Sequence, residues 1–205
     1  MKDQNYPYVI DAKLSEGAFA EVFKVHHVHN HHKLFALKRL RKSKAKDYSR
    51  ECIMLQSLDH SFICKLIESY SYHNTYCIVL ELIDGIELYE LLSSVHCFDI
   101  EQTKFISSCV LSALTYMHSR NIIYRDLKPE NLMVDKQGYV TLVDLGFAKK
   151  INHKTFTICG TMDYVAPEIF SHNGYTILAD MWSFGVCIWE FATGLSPFWD
   201  TTTSI

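Results

Sequence analysis

The sequence lacks the features that mark fibrous, membrane-spanning or nucleic-acid-binding chains. Only 8 glycines and 4 prolines occur among 205 residues, without internal repeats or a low-complexity linker, which excludes a fibrous or linker-rich chain. No apolar run reaches the length of about 18 residues that a membrane helix needs. The segment from Met1 to Tyr8 lacks an apolar core, so we expect no signal peptide. The formal net charge of −3 argues against a broad basic face for nucleic acid.

The sequence also lacks paired cysteines. Its seven cysteines are odd in number, form no C-x-x-C pair and stand mostly inside apolar runs. This pattern predicts free thiols in a reducing compartment and not a disulfide framework, so we expect a cytoplasmic protein.

What remains is an ordinary globular composition, 48% hydrophobic and 21% charged, sufficient for one large domain or two small lobes. The basic stretch 33–50 is interpreted as a solvated helix face with its lead-in, in preference to a docking patch for an anionic partner. The histidine-rich run 26–32 bridges two strand-like segments and is interpreted as an exposed hairpin turn. A metal site there is the less favoured alternative.

The first third of the chain has the alternating pattern of an antiparallel sheet with one helix. The predicted strands cover 9–14, 19–28, 34–40, 66–72 and 75–81, the last two joined at His73-Asn74, and the helix covers 45–58.

The rest of the chain is predicted to be mainly helical. Asp99 and Gln102 form a capping box that begins a helix ending at Ser119. Residues 178–193 are apolar nearly all round, which predicts a helix buried on all sides, with Gly194 as its C-terminal cap.

Between these two helices, short strands are predicted at 132–134 and 139–143, followed by a long loop at 144–168. Loops of that length without secondary structure are usually functional.

Residues 124–131, Tyr-Arg-Asp-Leu-Lys-Pro-Glu-Asn, place a carboxylate, an ammonium and an amide in one short loop. These groups can deprotonate a hydroxyl, neutralise a phosphoryl group and hold a metal ion. The loop resembles the catalytic loop of protein kinases, with Tyr in place of the usual His before Arg-Asp. An Asp near a Lys is by itself most often a solvated ion pair, so the other motifs carry the assignment.

Those motifs follow in the order found in the kinase family. Residues 14–22 match the Gly-rich loop, although only Gly17 is kept and Ser15 and Ala20 replace the other two glycines. Residues 35–38 match the strand of the phosphate-binding lysine, 50–55 the helix of its glutamate, and 143–149 the metal-binding segment, with Leu145 in place of Phe. A dinucleotide-binding domain is rejected because the Gly-rich segment lies in a predicted β-hairpin.

Residues 157–168 resemble the activation segment of the AGC group of kinases, and the chain looks most like the cyclic-nucleotide-dependent kinases, the cGMP-dependent branch in particular. The resemblance implies an α+β, bilobal protein-kinase fold with an N-lobe at 1–82 and a C-lobe at 83–205. It implies an ATP- and Mg²⁺-dependent serine/threonine kinase that phosphorylates basic proteins or peptides.

The resemblance also assigns roles to single residues. Asp126 would accept the proton of the substrate hydroxyl, and Lys128 would neutralise the moving phosphoryl group. Asn131 and Asp144 would hold Mg²⁺. Asp180 would brace the catalytic loop. The residues implied in ATP binding are Leu14, Ser15, Gly17, Ala20, Val22, Ala36, Lys38, Glu51, Glu81, Ile83, Glu87 and Met133.

Substrate recognition is assigned in the same way. Three carboxylates, Glu87, Glu130 and Glu190, would bind substrate arginines. Ile158, Met162 and Val165 would line an apolar pocket for the residue after the target serine or threonine. Thr161 would contact Asp126.

Thr157 matches a position phosphorylated in this group, so an activating kinase is an expected partner. A phosphate there would pair with Arg125 and Lys149 and order the loop.

The sequence stops at Ile205, whereas the family continues with further helices. We therefore expect an incomplete C-lobe, an exposed apolar patch on helix 178–193 and a buried Glu168 without its partner. A non-catalytic scaffold or an inactive fragment is the alternative function, supported by the altered Gly-rich loop and Leu145. Against it, the five polar groups of the kinase site are all present: Lys38, Glu51, Asp126, Asn131 and Asp144.

Overall fold

A computed structural model describes residues 7–17, 20–41, 44–72, 75–171 and 173–198. Their contacts form two compact units. Unit 1 contains the described residues up to Asp59 together with Cys64–Leu82. Unit 2 contains His60–Ile63 and the described residues from Ile83 onward. The predicted lobe limits, 1–82 and 83–205, stay predictions.

Unit 1 is a five-stranded antiparallel sheet with one helix, as the sequence predicts. The strand order is β1-β2-β3-β5-β4. The elements are β1 (Tyr8–Glu16), β2 (Ala20–His27), β3 (Asn30–Arg41), α1 (Ala45–Gln56), β4 (Leu66–Tyr72) and β5 (Thr75–Glu81).

Side-chain alternation gives this sheet two different faces. One face carries an apolar core of Tyr8, Phe23, Val25, Phe35, Leu37, Cys77 and Val79. Each such side chain contributes about 1.5–3 kcal/mol on full burial. In β3 the residues between these core positions, including Ala36 and Lys38, therefore point to the opposite face.

The histidine-rich run is mostly strand and only partly turn, which corrects the interpretation of it as a hairpin turn. Val28 and His29 form the turn, and the other histidines extend β2 and β3. The rings of His26 and His31 lie 4.7 Å apart, and Asp11 lies 2.9 Å from His26 Nδ1. Among the described residues, no group of three or more His, Cys, Asp or Glu side chains is placed to hold a metal ion. Phe19 and the predicted turn at 73–74 lie outside the described residues.

Unit 2 is mainly helical, and its strands are short. Its elements are β6 (Gly85–Glu87), α2 (Leu88–Val95), α3 (Ile100–His118), β7 (Ile122–Ile123), β8 (Leu132–Asp135), β9 (Val140–Leu142), β10 (Lys149–Lys150) and α4 (Leu178–Thr193). The strands form a sheet of order β6-β8-β9 and a pair of β7 with β10. In the parts of the chain that the structure covers, no helix is both long and apolar enough to cross a bilayer.

The capping box of α3 is confirmed. The Asp99 carboxylate accepts from the backbone N–H of Gln102 at 2.8 Å, and the Gln102 side chain accepts from the Asp99 N–H at 3.0 Å. The sequence did not predict α2, whose N-cap residue Glu87 makes no side-chain capping hydrogen bond. Its eight residues are too few for a clear helical period.

Helix α4 has the predicted limits, but the expectation that it is buried on all sides is wrong. Phe184, Cys187 and Phe191 are buried, whereas Trp182 and Trp189 are 39% and 53% exposed. Among the described residues, one face of the helix packs against α3 and its neighbours, and the expected apolar patch lies on the other face. Glu168 is exposed, which corrects the expectation that it is buried.

Gly194 ends α4 in the left-handed conformation, with φ 76°, as the sequence predicts. A Cβ there would lie 2.0 Å from the His96 carbonyl oxygen. Gly138 supplies a control, because its φ is +89° and nothing lies within 4 Å of an added Cβ.

We predict that Gly194→Ala lowers the thermal midpoint about 4–8 °C more than Gly138→Ala. Both variants carry left-handed strain of about 1 kcal/mol, but only the first adds an overpacking cost of about 2 kcal/mol. Thermal unfolding followed by circular dichroism measures the difference. Equal midpoints for the two variants would contradict the close approach at Gly194.

Candidate active site

The loop at 124–131 is anchored by one buried carboxylate. Asp180, on α4 and 1% exposed, accepts from the backbone N–H groups of Tyr124 and Arg125, each at 2.8 Å. His118 Nε2 lies 2.7 Å from the same carboxylate. The backbone of Arg125 is held at φ 76°, a conformation that residues other than glycine rarely adopt. The structure thus confirms that Asp180 braces the loop.

Four polar side chains converge beside this anchor. Asp126 Oδ1 accepts from the Thr161 hydroxyl at 3.1 Å, and its Oδ2 accepts from Asn131 Nδ2 at 2.9 Å. Lys128 Nζ donates to Thr161 Oγ1 at 2.9 Å and lies 3.9 Å from Asp126 Oδ2. The expected contact of Thr161 with Asp126 is therefore present, and the carboxylate has a fixed orientation.

Asn131 and Asp144 offer the oxygen atoms that Mg²⁺ prefers. Asn131 Nδ2 donates to the Asp126 carbonyl at 2.7 Å and to its carboxylate, so the amide oxygen is the atom that would serve the predicted metal contact. Asp144, at φ 54°, is exposed and follows Val143, whose N–H donates to the Asn131 carbonyl at 2.9 Å. Leu145 is fully buried, so leucine fills this apolar position. The donor set fits a magnesium ion.

Unit 1 contains a buried ion pair between the strand lysine and the helix glutamate. Lys38 Nζ lies 2.7 Å from Glu51 Oε1, and the two residues are 9% and 2% exposed. Val22 stands directly opposite Lys38 in the β2–β3 register, and Ala36 shares the Lys38 face of β3. Three of the predicted ATP-binding residues, Val22, Ala36 and Lys38, thus lie on the sheet face opposite the core.

The described residues of the Gly-rich segment pair as β1 and β2 although two of its glycines are missing. The Gly17 N–H donates to the Ala20 carbonyl at 2.8 Å, and Ser15 pairs with Val22. Ser15 and Ala20 are not among the residues of the described chain with positive φ. Serine and alanine therefore fit here without backbone strain. Leu14, beside them on β1, is 50% exposed.

The remaining residues that the sequence predicts to bind ATP are placed as follows. At the end of β5, Glu81 N–H donates to the Lys65 carbonyl. The Ile83 carbonyl accepts from Gly85 N–H, just before β6. Met133 pairs with Glu87 across β8 and β6.

Among the three carboxylates expected to bind substrate arginines, Glu130 acts on the other two. Burial raises the pKa of Glu87, and repulsion from Glu90 and Glu130 adds to this. Burial also raises the pKa of Glu190, with repulsion from Glu130, although the Tyr164 hydroxyl donates to it at 2.6 Å and opposes the shift. Within the described residues, Glu130 Oε2 is buried without a hydrogen-bond partner. This acidic cluster favours a cation.

The residues expected to recognise the rest of the substrate differ in exposure. Ile158 and Met162 are 62% and 68% exposed, whereas Val165 packs against a buried cluster that includes Ile123 and Ile169. The sequence did not identify Tyr164, whose contact with Glu190 joins residues 26 positions apart.

The residues expected to hold a phosphate are both engaged. Thr157 is exposed. Lys149 Nζ donates to the hydroxyl of Thr155, not Thr157, at 3.0 Å. Arg125 Nε donates to the Phe147 carbonyl at 2.7 Å. The pairing of Thr157 phosphate with these two cations stays a prediction.

Comparison with known protein families identifies the family to which this chain belongs. The family described as "Protein kinase domain" matches residues 8–205. The chain therefore belongs to the protein kinase domain family.

Three similar relatives belong to one group of protein kinases, those that depend on cyclic nucleotides. The chain is 41% identical over 195 residues to "cGMP-dependent protein kinase, isozyme 2 forms cD5/T2" of Drosophila melanogaster, covering 91% of this chain and 21% of that protein. It is 42% identical over 198 residues to "cGMP-dependent protein kinase 2" of Homo sapiens, covering 92% and 26%. It is 38% identical over 196 residues to "cAMP-dependent protein kinase type 3" of Saccharomyces cerevisiae, covering 93% and 49%. The chain thus spans between a fifth and a half of these relatives, and its resemblance to cyclic-nucleotide-dependent kinases is confirmed.

We predict that Asp180→Ala lowers the free energy of unfolding by about 3 kcal/mol, because two buried N–H groups lose their acceptor. Asp180→Asn keeps one acceptor oxygen and should lose about half as much. Urea denaturation measures both. A loss below that of the exposed control Asp84→Asn would show that the loop does not depend on this carboxylate.

Proposed function

We propose that this protein is an ATP-dependent serine/threonine kinase that transfers the γ-phosphoryl group of Mg²⁺-bound ATP to serine or threonine in basic peptides. The observation that carries the proposal is the arrangement around Asp126. Its carboxylate is oriented by Thr161 and Asn131 and lies beside the Lys128 ammonium. Family membership and the retained Lys38–Glu51 pair support it.

Each residue of the proposed site has a defined task. The Asp126 carboxylate accepts a hydrogen bond from the substrate hydroxyl and takes its proton as the phosphoryl group leaves ATP. Lys128 stabilises the negative charge that the attacking substrate oxygen and the leaving ATP oxygen share during the transfer. Bound Mg²⁺ would neutralise phosphate charge, held by the Asp144 carboxylate and the Asn131 amide oxygen. In unit 1, Lys38 would contact the phosphates, with its ammonium held by Glu51.

The acidic cluster supports a preference for basic peptides. Glu130 repels both Glu87 and Glu190 when these carboxylates are ionised, and burial of Glu87 and Glu190 adds a desolvation cost. A guanidinium group would relieve both penalties and offers two parallel hydrogen bonds to a carboxylate. Arginine before the target residue is therefore the proposed recognition element.

The seven described cysteines are unpaired. Free thiols agree with a reducing compartment, which supports a cytoplasmic location as part of the proposal.

Phosphate transfer from labelled ATP to an arginine-rich serine peptide tests the reaction. We predict that Asp126→Asn lowers kcat about 10²- to 10⁴-fold, because the general base is lost, while ATP binding persists. Asp144→Ala should abolish transfer by weakening Mg²⁺ binding. Asp84→Asn, a substitution at an exposed side chain that pairs with Lys136, should leave the rate unchanged. Transfer by the wild type no faster than by Asp126→Asn, with ATP still bound, would favour the non-catalytic scaffold.

The acidic cluster predicts a pH dependence. The pKa values of Glu87 and Glu190 are raised above the ordinary 4.5, so both carboxylates take up protons at a higher pH than usual. The KM for an arginine-rich peptide should therefore rise as pH falls. This rise should begin at a higher pH than that at which an ordinary glutamate takes up a proton. Glu87→Gln and Glu190→Gln together should raise KM at neutral pH and remove this dependence.

A peptide with citrulline in place of arginine serves as the control, because it has no charge to recognise. The same pH profile with both peptides would contradict the assignment of the cluster to arginine recognition.

A further inference from the structure

The residues just before the activation segment (157–168) are held by backbone hydrogen bonds to the segment that precedes α4. Thr155 N–H donates to the Tyr175 carbonyl, and Tyr175 N–H donates to the Thr155 carbonyl, both at 2.9 Å. Lys154 Nζ donates to the Asn173 carbonyl at 3.1 Å. We name the paired residues 154–157 and 173–175 the clasp.

Side chains close the clasp on both sides. Thr155 is 1% exposed, and its hydroxyl accepts from Lys149 Nζ at 3.0 Å. The Phe156 ring lies over Gly174, where an added Cβ would come within 2.7 Å of it. The clasp therefore combines backbone pairing, a buried hydroxyl and a packed ring, and no part of it needs a phosphate.

The Tyr175 hydroxyl links the clasp to the catalytic loop. It donates to the Thr157 carbonyl and accepts from Arg125 at 3.5 Å. Burial raises the pKa of this hydroxyl above 10.0, so it keeps its proton and can donate. Tyr175 itself is 2% exposed within the cluster that includes Ile151 and Ala179. One rigid side chain thus touches the backbone of Thr157 and the residue next to Asp126.

We infer that Tyr175 is a positioning residue, whose hydroxyl holds the activation segment against the catalytic loop before any phosphate is added to Thr157. The kinetic part of this inference rests on the proposed function, whereas its structural part does not. A phosphate on Thr157 would supply its own contacts to Arg125. The Tyr175 hydroxyl should therefore matter most in the protein that carries no phosphate there.

The first test is Tyr175→Phe in the full chain without phosphate, followed by hydrogen exchange of the amides at 154–162. Loss of the hydroxyl bonds to the Thr157 carbonyl and the Arg125 guanidinium should speed exchange about tenfold. Tyr8→Phe is the matched control, because it removes the hydroxyl that donates to Glu68 Oε1 at 2.6 Å in unit 1. It should leave exchange at 154–162 unchanged.

The second test opens the clasp from its other side. Gly174→Ala and Gly138→Ala both place a side chain at positive φ, +72° and +89°, but only the first meets a neighbour. We expect faster exchange at 154–162 in Gly174→Ala but not in Gly138→Ala.

Peptide transfer adds the kinetic readout. Tyr175→Phe should lower kcat several-fold with KM for ATP unchanged, and phosphorylation of Thr157 should largely restore kcat. A simple loss of folded protein would not be restored in this way.

The outcomes separate the two proposals. Unchanged exchange in both Tyr175→Phe and Gly174→Ala would overturn the positioning role, whether or not the chain transfers phosphate. Faster exchange in both variants, in a chain that transfers no phosphate, would support the clasp and contradict the proposed function.

Discussion

The Asp180 carboxylate is the interaction on which the candidate site depends. A buried carboxylate is costly unless its lone pairs are satisfied, and here two backbone N–H groups and His118 satisfy them. The same bonds hold Arg125 at a strained positive φ. This turn of the backbone separates Tyr124, which is buried, from Asp126, which lies in the polar cluster. Strain in the loop is therefore balanced by hydrogen bonds from a rigid helix, which is how a short loop keeps a defined shape.

The sequence predicted the parts of the fold that repeat and the parts that follow a motif. The strands of unit 1 follow from side-chain periodicity, the limits of α4 follow from its apolar run and the Gly194 cap, and the capping box at Asp99 follows from local chemistry. The two-residue strands β7 and β10 were not predictable, since two residues have no period. The exposure of Trp182 and Trp189 was not predictable from the helix alone, because burial depends on which neighbours pack against each face.

The residues of the candidate site likewise fall into those that a motif predicted and those that only the folded structure shows. The motifs identified Asp126, Asn131 and Thr161, and the structure brings these three together. They did not identify Tyr164 or Tyr175, because each tyrosine acts through one hydroxyl on a partner distant in sequence. Nor did they predict that Lys149 contacts Thr155. Spacing within a motif reports local geometry, whereas contacts between motifs require the folded chain.

The departures from the family pattern bear on the choice between a catalyst and a scaffold. Ser15 and Ala20 occupy positions without positive φ, and the backbone bond from Gly17 to Ala20 forms without the missing glycines. Leu145 fills a buried apolar position, and its carbonyl accepts from Ala148 N–H at 2.9 Å. Each of these three substitutions thus falls where the backbone or apolar packing decides the structure, and none of the three replaces a group that would carry charge or a proton. A chain that had lost its chemistry would be free to lose polar groups as well, so their retention favours catalysis.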